Sequence, residues 1–241
     1  MPVALRRALV VAGGALLLAL AFFGGLRLNW FLSDRPGATP ALAQNSDERR
    51  VLEAVAAMRS ANHRQFAVTD SDGQTLRILA ESLGARRAVE IGTSTGYSAL
   101  WLGLAMRHTG GRLTTFEVDP RRAATARGYI AKAGLEDNVD IVVGDAHKNI
   151  AELKEPIDLV FIDADKPGYV DYLEKLLPLV REGGLILAHN AEMAPEYMER
   201  VRRDPTLETV LLSEDSGFTV TLKKRTPPAA GISAVRPQPG M

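Results

Sequence analysis

The sequence predicts an α/β fold: a doubly wound, mostly parallel seven-stranded sheet with helices on both faces and a C-terminal antiparallel hairpin. Three observations predict it. Short apolar, β-branched runs alternate with stretches whose apolar residues recur at helical spacing. Several of the apolar runs end in a glycine or an acid. The last two runs are separated only by a short Ser-Gly turn, with no helix between them. Strand-helix alternation of this kind implies a parallel sheet covered on both faces.

The elements follow in order. Residues 47–63 place Val51, Leu52, Val55 and Met58 on one helical face, and residues 75–83 repeat the pattern until Gly84 stops it. Residues 88–92 form the first strand and run into a glycine turn; residues 98–107 are a helix. The second strand, 112–118, leads to a helix over 120–133 with Pro120 in its first turn. Strands follow at 139–143 and 157–162, then a mostly helical stretch at 169–180, a strand at 184–188 and a helix at 195–203. Runs 209–212 and 218–222 close the sheet.

Composition narrows the function. Lys and Arg total 29, as do Asp and Glu, so the formal net charge is zero. That argues against a nucleic-acid partner, which asks for a basic face. There is no cysteine, which excludes a disulfide framework, a Cys-ligated zinc and a thiol nucleophile. Among the 241 residues, four regions are expected: a signal or signal-anchor segment over 1–30, a linker over 31–46, the main domain over 47–225 and a disordered tail over 226–241. Arg6 and Arg7 precede an apolar run over 8–26, close to the roughly 20 residues that span a bilayer. Ala41-Leu42-Ala43 resembles a signal cleavage site. The expected localisation is therefore membrane-anchored through one N-terminal helix, or exported after cleavage. Arginines on both sides of the run leave its orientation open.

In doubly wound sheets, ligands bind beyond the C-terminal ends of the strands, and the chemistry-bearing residues stand there. Glu90-Ile91-Gly92-Thr93-Ser94-Thr95-Gly96-Tyr97-Ser98 joins the first strand to its helix. Its glycines allow a tight turn and close backbone approach by a ligand. The spacing is E-x-G-x-x-x-G, not the G-x-G-x-x-G of dinucleotide sites. An acid before the turn suits a ligand carrying an ammonium and a sulfonium better than one carrying a pyrophosphate. The same loop also serves as a plain glycine turn in other α/β proteins. Glu117 ends the second strand, where an acid can accept ribose hydroxyls; Asp119 reads as the cap of the next helix. Gly144-Asp145-Ala146 ends the third strand, with Asp145 open between an adenine contact and a helix cap.

Three strings together carry a family resemblance: Val-Glu-Ile-Gly-Thr-Ser-Thr-Gly-Tyr-Ser, Val-Phe-Ile-Asp-Ala-Asp-Lys and Gly-Gly-Leu-Ile-Leu-Ala-His-Asn. Residues 72–224 resemble the cation-dependent O-methyltransferases that include the caffeoyl-CoA and catechol O-methyltransferases. The resemblance implies a Rossmann-like fold and S-adenosyl-L-methionine as cofactor, with contacts at Val68, Glu90, Gly92, Thr93, Ser98, Glu117, Ala146 and Asp163. It further implies a small hydroxylated acceptor, catechols among the candidates, and a homodimer.

Asp163-Ala164-Asp165-Lys166 empties an apolar strand into two acids and a lysine. By resemblance Asp163 ligates a divalent cation and Lys166 is the general base; a surface ion pair is the plainer role for Lys166. His189-Asn190 stands where the family usually shows Asp-Asn, both of them cation ligands. Magnesium prefers oxygen ligands, whereas imidazole suits zinc or manganese better. The site is thus expected to take a softer metal, to bind magnesium weakly, or to work without metal through His189 as base. His189 as a simple hydrogen-bonding residue stays open. His63, His108 and His147 read as surface or capping residues, Arg121-Arg122 as a solvated helix face and Trp101 as core. Two other functions compete: a nicotinamide-dependent oxidoreductase on the same kind of sheet, and a non-catalytic, membrane-tethered module that binds S-adenosylmethionine.

Overall fold

A computed structural model describes residues 41–61, 68–213 and 217–227. Two helices lead into the sheet. The first, α1 (Ser46–Ser60), is capped by Asn45, whose side chain accepts the Glu48 amide. The second, α2, runs Asp70–Ser82, five residues earlier than the apolar pattern suggests. The reason is local: Thr69 and Asp72 form a capping box, each side chain taking the other's backbone amide. The buried Glu48 holds Arg77 of α2 at 2.5 Å, which ties the pair together.

Strands β1 (Arg87–Ile91), β2 (Arg112–Glu117), β3 (Val139–Val143), β4 (Ile157–Ile162) and β5 (Val180–Ala188) are parallel. Between them run α3 (Tyr97–Thr109), α4 (Pro120–Ala133), a single turn α5 (Ala146–Asn149) and α6 (Tyr169–Leu176). Helix α7 (Pro195–Arg203) precedes the hairpin β6 (Leu207–Ser213) and β7 (Phe218–Lys223). The sheet order is β3-β2-β1-β4-β5-β7-β6, with β7 antiparallel to both neighbours. This is the expected seven-stranded sheet with its closing hairpin. The stretch expected to stay helical to residue 180 ends at Leu176, and Val180 already pairs with Ile157.

Two apolar layers cover the sheet. One joins α1 to α4 through Val51, Leu76, Leu100 and Ile130; Trp101, 2% exposed, lies in it as expected. The other joins α6 and α7 through Tyr169, Leu173 and Val201. Because β2 and β4 both flank β1, the chain leaves β1 on one face and reaches β4 from the other. A crevice opens at that switch point, at the C-terminal ends of β1 and β4.

Gly92 makes the crevice possible. It sits at φ +102°, and a Cβ there would fall 2.1 Å from the carbonyl oxygen of Asp163. The close approach foreseen for this glycine is therefore that of the neighbouring strand's backbone.

Among the described residues no helix is long and apolar enough to cross a membrane. This corrects the expected membrane-anchored localisation. The signal-or-anchor segment 1–30 that prompted it lies outside the described residues, as do His63 and the tail beyond residue 227. At the end of the stretch read as a linker over 31–46, Asn45 caps α1 and Ser46 begins it.

Gly92→Ala is expected to lose about 2 kcal/mol or more of stability, because a side chain at positive φ and a backbone clash act together. Urea unfolding measures it; an unchanged midpoint would show that the β1–β4 approach tolerates a Cβ.

Candidate active site

The crevice is a cavity of about 930 Å³ whose walls include Gly92, Ser94, Glu117, Ala146, Asp163, Lys166, His189 and Asn190. A volume of this size suits a nucleoside-sized ligand together with a small second molecule. Each wall residue stands at a strand end, for the reason given by the topology.

At the end of β1, Glu90 is fully buried and stands behind the cavity wall. Thr115 Oγ1 donates to Glu90 Oε2 at 2.5 Å, and Thr93 Oγ1 lies 2.6 Å from Thr115 Oγ1. With the Thr115 proton committed to Glu90, Thr93 is the donor in that second bond. Thr93 thus serves the sheet interior and does not line the cavity. Glu90 Oε1 has no hydrogen-bond partner among the described residues. Burial raises the Glu90 carboxyl to about 7; bonds from Ser98 and Thr115 hold it down in part, and the Asp163 and Glu117 charges push it up further. Ser98 lies in the first turn of α3 and points at Glu90 rather than into the cavity. Val68 is buried in the apolar layer with Val51 and Leu76 and does not line the cavity.

Glu117 closes β2 and is 5% exposed. The Ser94 amide donates to its Oε2 at 2.7 Å and the Asp119 amide to its Oε1 at 2.9 Å. Ser94 reaches this position in a left-handed conformation, φ 50°, a strain that persists where surrounding structure enforces it. Asp119 caps α4 by accepting the Arg121 amide, as expected. Asp145 likewise caps α5 through the His147 amide and also lines the cavity.

Three residues depart from their plain reading. His147 stacks on Tyr172 with ring centroids 4.3 Å apart, sits 2.5 Å from Asp171, and lines the cavity. Arg121 is solvated, but Arg122 lines the cavity. Tyr169, passed over in the sequence as a helix start, is the third. Lys166 Nζ donates to its hydroxyl at 2.5 Å, and that hydroxyl donates to the His189 carbonyl at 2.8 Å. The signal for Tyr169 was its spacing: it lies one helical turn after Lys166.

At the ends of β4 and β5 the charges converge. Lys166 Nζ is 3.4 Å from Asp163 Oδ1 and 3.2 Å from the His189 carbonyl. Asp165 turns away, accepting from Tyr172 at 2.7 Å. His189 is 8% exposed, with Nδ1 3.5 Å from Asp163 Oδ2 and Nε2 3.4 Å from Asp72 Oδ2. Burial opposes its charge, but the Asp163 and Asp72 carboxylates outweigh burial and lift it to about 9. Asp72, drawn from α2, did not figure among the candidates. Asn190 is left-handed, φ 49°. Among the described residues no group of three or more His, Cys, Asp or Glu side chains is arranged to hold a metal ion.

Comparison with known proteins agrees with this architecture. The family model described as O-methyltransferase matches residues 43–213. A catechol O-methyltransferase of Niastella koreensis is 34% identical over 166 residues, 67% of this chain and 75% of that protein. One of Mycobacterium tuberculosis is 40% identical over 147 residues, 60% of this chain and 66% of that protein. Among solved structures, an O-methyltransferase from Bacillus cereus in complex with SAH superposes with a TM-score of 0.66 at 27% identity, covering 82% of this chain and 97% of that one. One from Streptomyces achromogenes in complex with SAM gives 0.66 at 25% identity, covering 83% and 96%. The oxidoreductase reading is thereby set aside: this chain belongs to the O-methyltransferase family and is an S-adenosylmethionine-dependent O-methyltransferase.

Proposed function

We propose that the cavity binds S-adenosylmethionine between the ends of β1 and β3 and methylates a small, catechol-like hydroxylated acceptor held beside Lys166. The observation that carries the reading is Glu117. Two backbone amides fix its carboxylate on the cavity wall, and a carboxylate keeps lone pairs beyond those two for a pair of ribose hydroxyls. Gly144 and Ala146 bound the space beyond it, where a flat base would lie. Glu90, with one oxygen unpartnered and its carboxyl poised to ionise near neutral pH, suits a cationic methionyl group. Thr93, through Thr115, and Ser98 support Glu90 from behind, while Val68 packs in the apolar layer. A catechol-like acceptor is in keeping with the catechol O-methyltransferases among the relatives.

When bound, the cofactor supplies a sulfonium methyl. The acceptor oxygen forms a bond to that carbon while the carbon–sulfur bond breaks, its electron pair passing to sulfur. The chain's part is to align the two and remove the hydroxyl proton; alignment alone contributes up to about 7–11 kcal/mol in favourable systems. Lys166 is the base in this reading, acting from its neutral amine form, whose lone pair takes the hydroxyl proton. Two of its three contacts are long, 3.2 and 3.4 Å, so one can be exchanged for an acceptor hydroxyl. Asp163 and Tyr169 keep Nζ at the cavity wall.

Three outcomes follow from these roles. In calorimetry, S-adenosylmethionine binds the wild-type chain, and Glu117→Ala abolishes the binding or weakens it by about 10-fold or more, as expected for a lost charge-assisted hydrogen bond; unchanged affinity refutes the ribose contact. Lys166→Met lowers kcat by about 100-fold or more with little change in cofactor affinity; a kcat within threefold of wild type removes Lys166 as the base. Glu90→Gln trades function for stability. The carboxyl titrates near 4.5 unfolded and about 7 folded, so ionised Glu90 costs stability increasingly as pH rises from 4.5 to 7 and by a constant amount above. The variant therefore melts higher than wild type at pH 8, with no such gain at pH 4.5, yet binds the cofactor more weakly. A lower Tm at pH 8 contradicts the assigned burial cost.

A further inference from the structure

The acceptor end of the cavity brings four charged or polar side chains face to face, with the His189 ring nitrogens at ion-pair distance from two carboxylates and in no hydrogen bond among the described residues. Asp163 Oδ1 faces the Lys166 ammonium and Oδ2 faces His189 Nδ1. His189 Nε2 faces Asp72 Oδ2 on the far side of the ring. Asp72 is itself held in place by the α2 cap, where Thr69 Oγ1 donates to it at 2.7 Å. Phe218 packs edge-on against the imidazole with centroids 6.4 Å apart. All four charged side chains are at least four-fifths buried.

A hard divalent cation needs several oxygens with free lone pairs: six for magnesium, six to eight for calcium. This centre gives it little. Both Asp163 oxygens already face nitrogens of the chain. The residue before Asn190 presents a ring nitrogen instead of an oxygen. The two carboxylates near His189 lie against opposite ring nitrogens, so an ion that reached one nitrogen could not also gather the second carboxylate. An ion entering here would displace Lys166 or His189, leaving a buried carboxylate or ammonium without its partner, which is unfavourable. Softer metals that favour imidazole meet the same geometric split.

We propose that the acceptor end of this site works without a divalent cation, the Asp72–His189–Asp163 clamp and Lys166 filling the place where an ion would bind. The inference rests on the O-methyl-transfer reading of the cavity. Once Lys166 has taken the acceptor's proton, its ammonium supplies the positive charge that faces the acceptor oxygen, and Asp72 and His189 are positioning residues for Asp163 and Lys166.

Calorimetry on the full-length chain, stripped with EDTA and saturated with S-adenosylhomocysteine, tests it. Magnesium, manganese and zinc chlorides are titrated into wild type and into His189→Asp. Wild type is expected to bind none of the three more tightly than about 1 mM, whereas His189→Asp, which restores an oxygen ligand, gains 1:1 manganese binding at least about 10-fold tighter. Methyl transfer to a catechol stays within about twofold in excess EDTA, since no metal is there to remove. Stoichiometric micromolar binding of any of the metals to wild type overturns the proposal. So does activity lost to EDTA and regained with metal, or a folded His189→Asp protein that binds no metal. Heat from S-adenosylhomocysteine reports the variant's integrity, and the wild-type titration decides the matter if the variant loses it. Absence of that heat in wild type instead refutes the cofactor reading, so the two failures are distinguishable.

Discussion

Asp163 is the residue on which the geometry of the whole upper rim depends. Its amide donates to the Ile91 carbonyl at 2.9 Å, continuing the β1–β4 ladder one step past the strands. Its own carbonyl presses against Gly92 so closely that only a glycine fits. Its carboxylate then stands between Lys166 and His189. One residue therefore sets the cofactor turn, the lysine and the β5 terminus relative to one another. A shift of the β4 end would move all three together, and misplacement by about 1 Å is enough to cost a group-transfer enzyme 100-fold in rate.

The rim concentrates acids that a stable apolar fold would not choose. Glu90, Glu117 and Asp72 are all buried, and burial of a carboxylate is unfavourable unless it is bonded or paired. The chain meets this in different ways. Glu117 takes two backbone amides, Asp72 joins a helix cap and His189, and Asp163 takes Lys166 and His189. Glu90 is satisfied on one oxygen only. An incompletely compensated charge of this sort marks functional sites more often than structural ones. Here it sits near the end of β1, behind the wall of the cavity.

The neutral overall charge conceals this local concentration. Acids stand at both ends of the cavity, and each end has basic neighbours: Glu117 and Asp145 share one part of the wall with Arg122 and His147, and Asp163 and Asp165 share the other with Lys166 and His189.

Much of the architecture was legible in the chain. Short apolar, β-branched runs and helical apolar spacing placed all seven strands, the hairpin and the larger helices, because a sheet covered on both faces leaves those residues no other place to be buried. The acids and glycines at strand ends marked the ligand edge, because topology sends functional residues there. Other features depended on contacts between segments far apart in sequence. The early start of α2 came from a side-chain cap, and the halt of α6 at Leu176 from strand pairing. Thr93 and Ser98 turned inward to Glu90, His147 stacked onto Tyr172, and Asp72 crossed from α2 to meet His189. Sequence by itself determined the fold class and which strand ends carry chemistry, since local periodicity and turn chemistry suffice for that. Only the tertiary structure decided which buried charges face one another, because an ion pair depends on distance in space, and residues 72, 163 and 189 become neighbours only once the sheet is assembled.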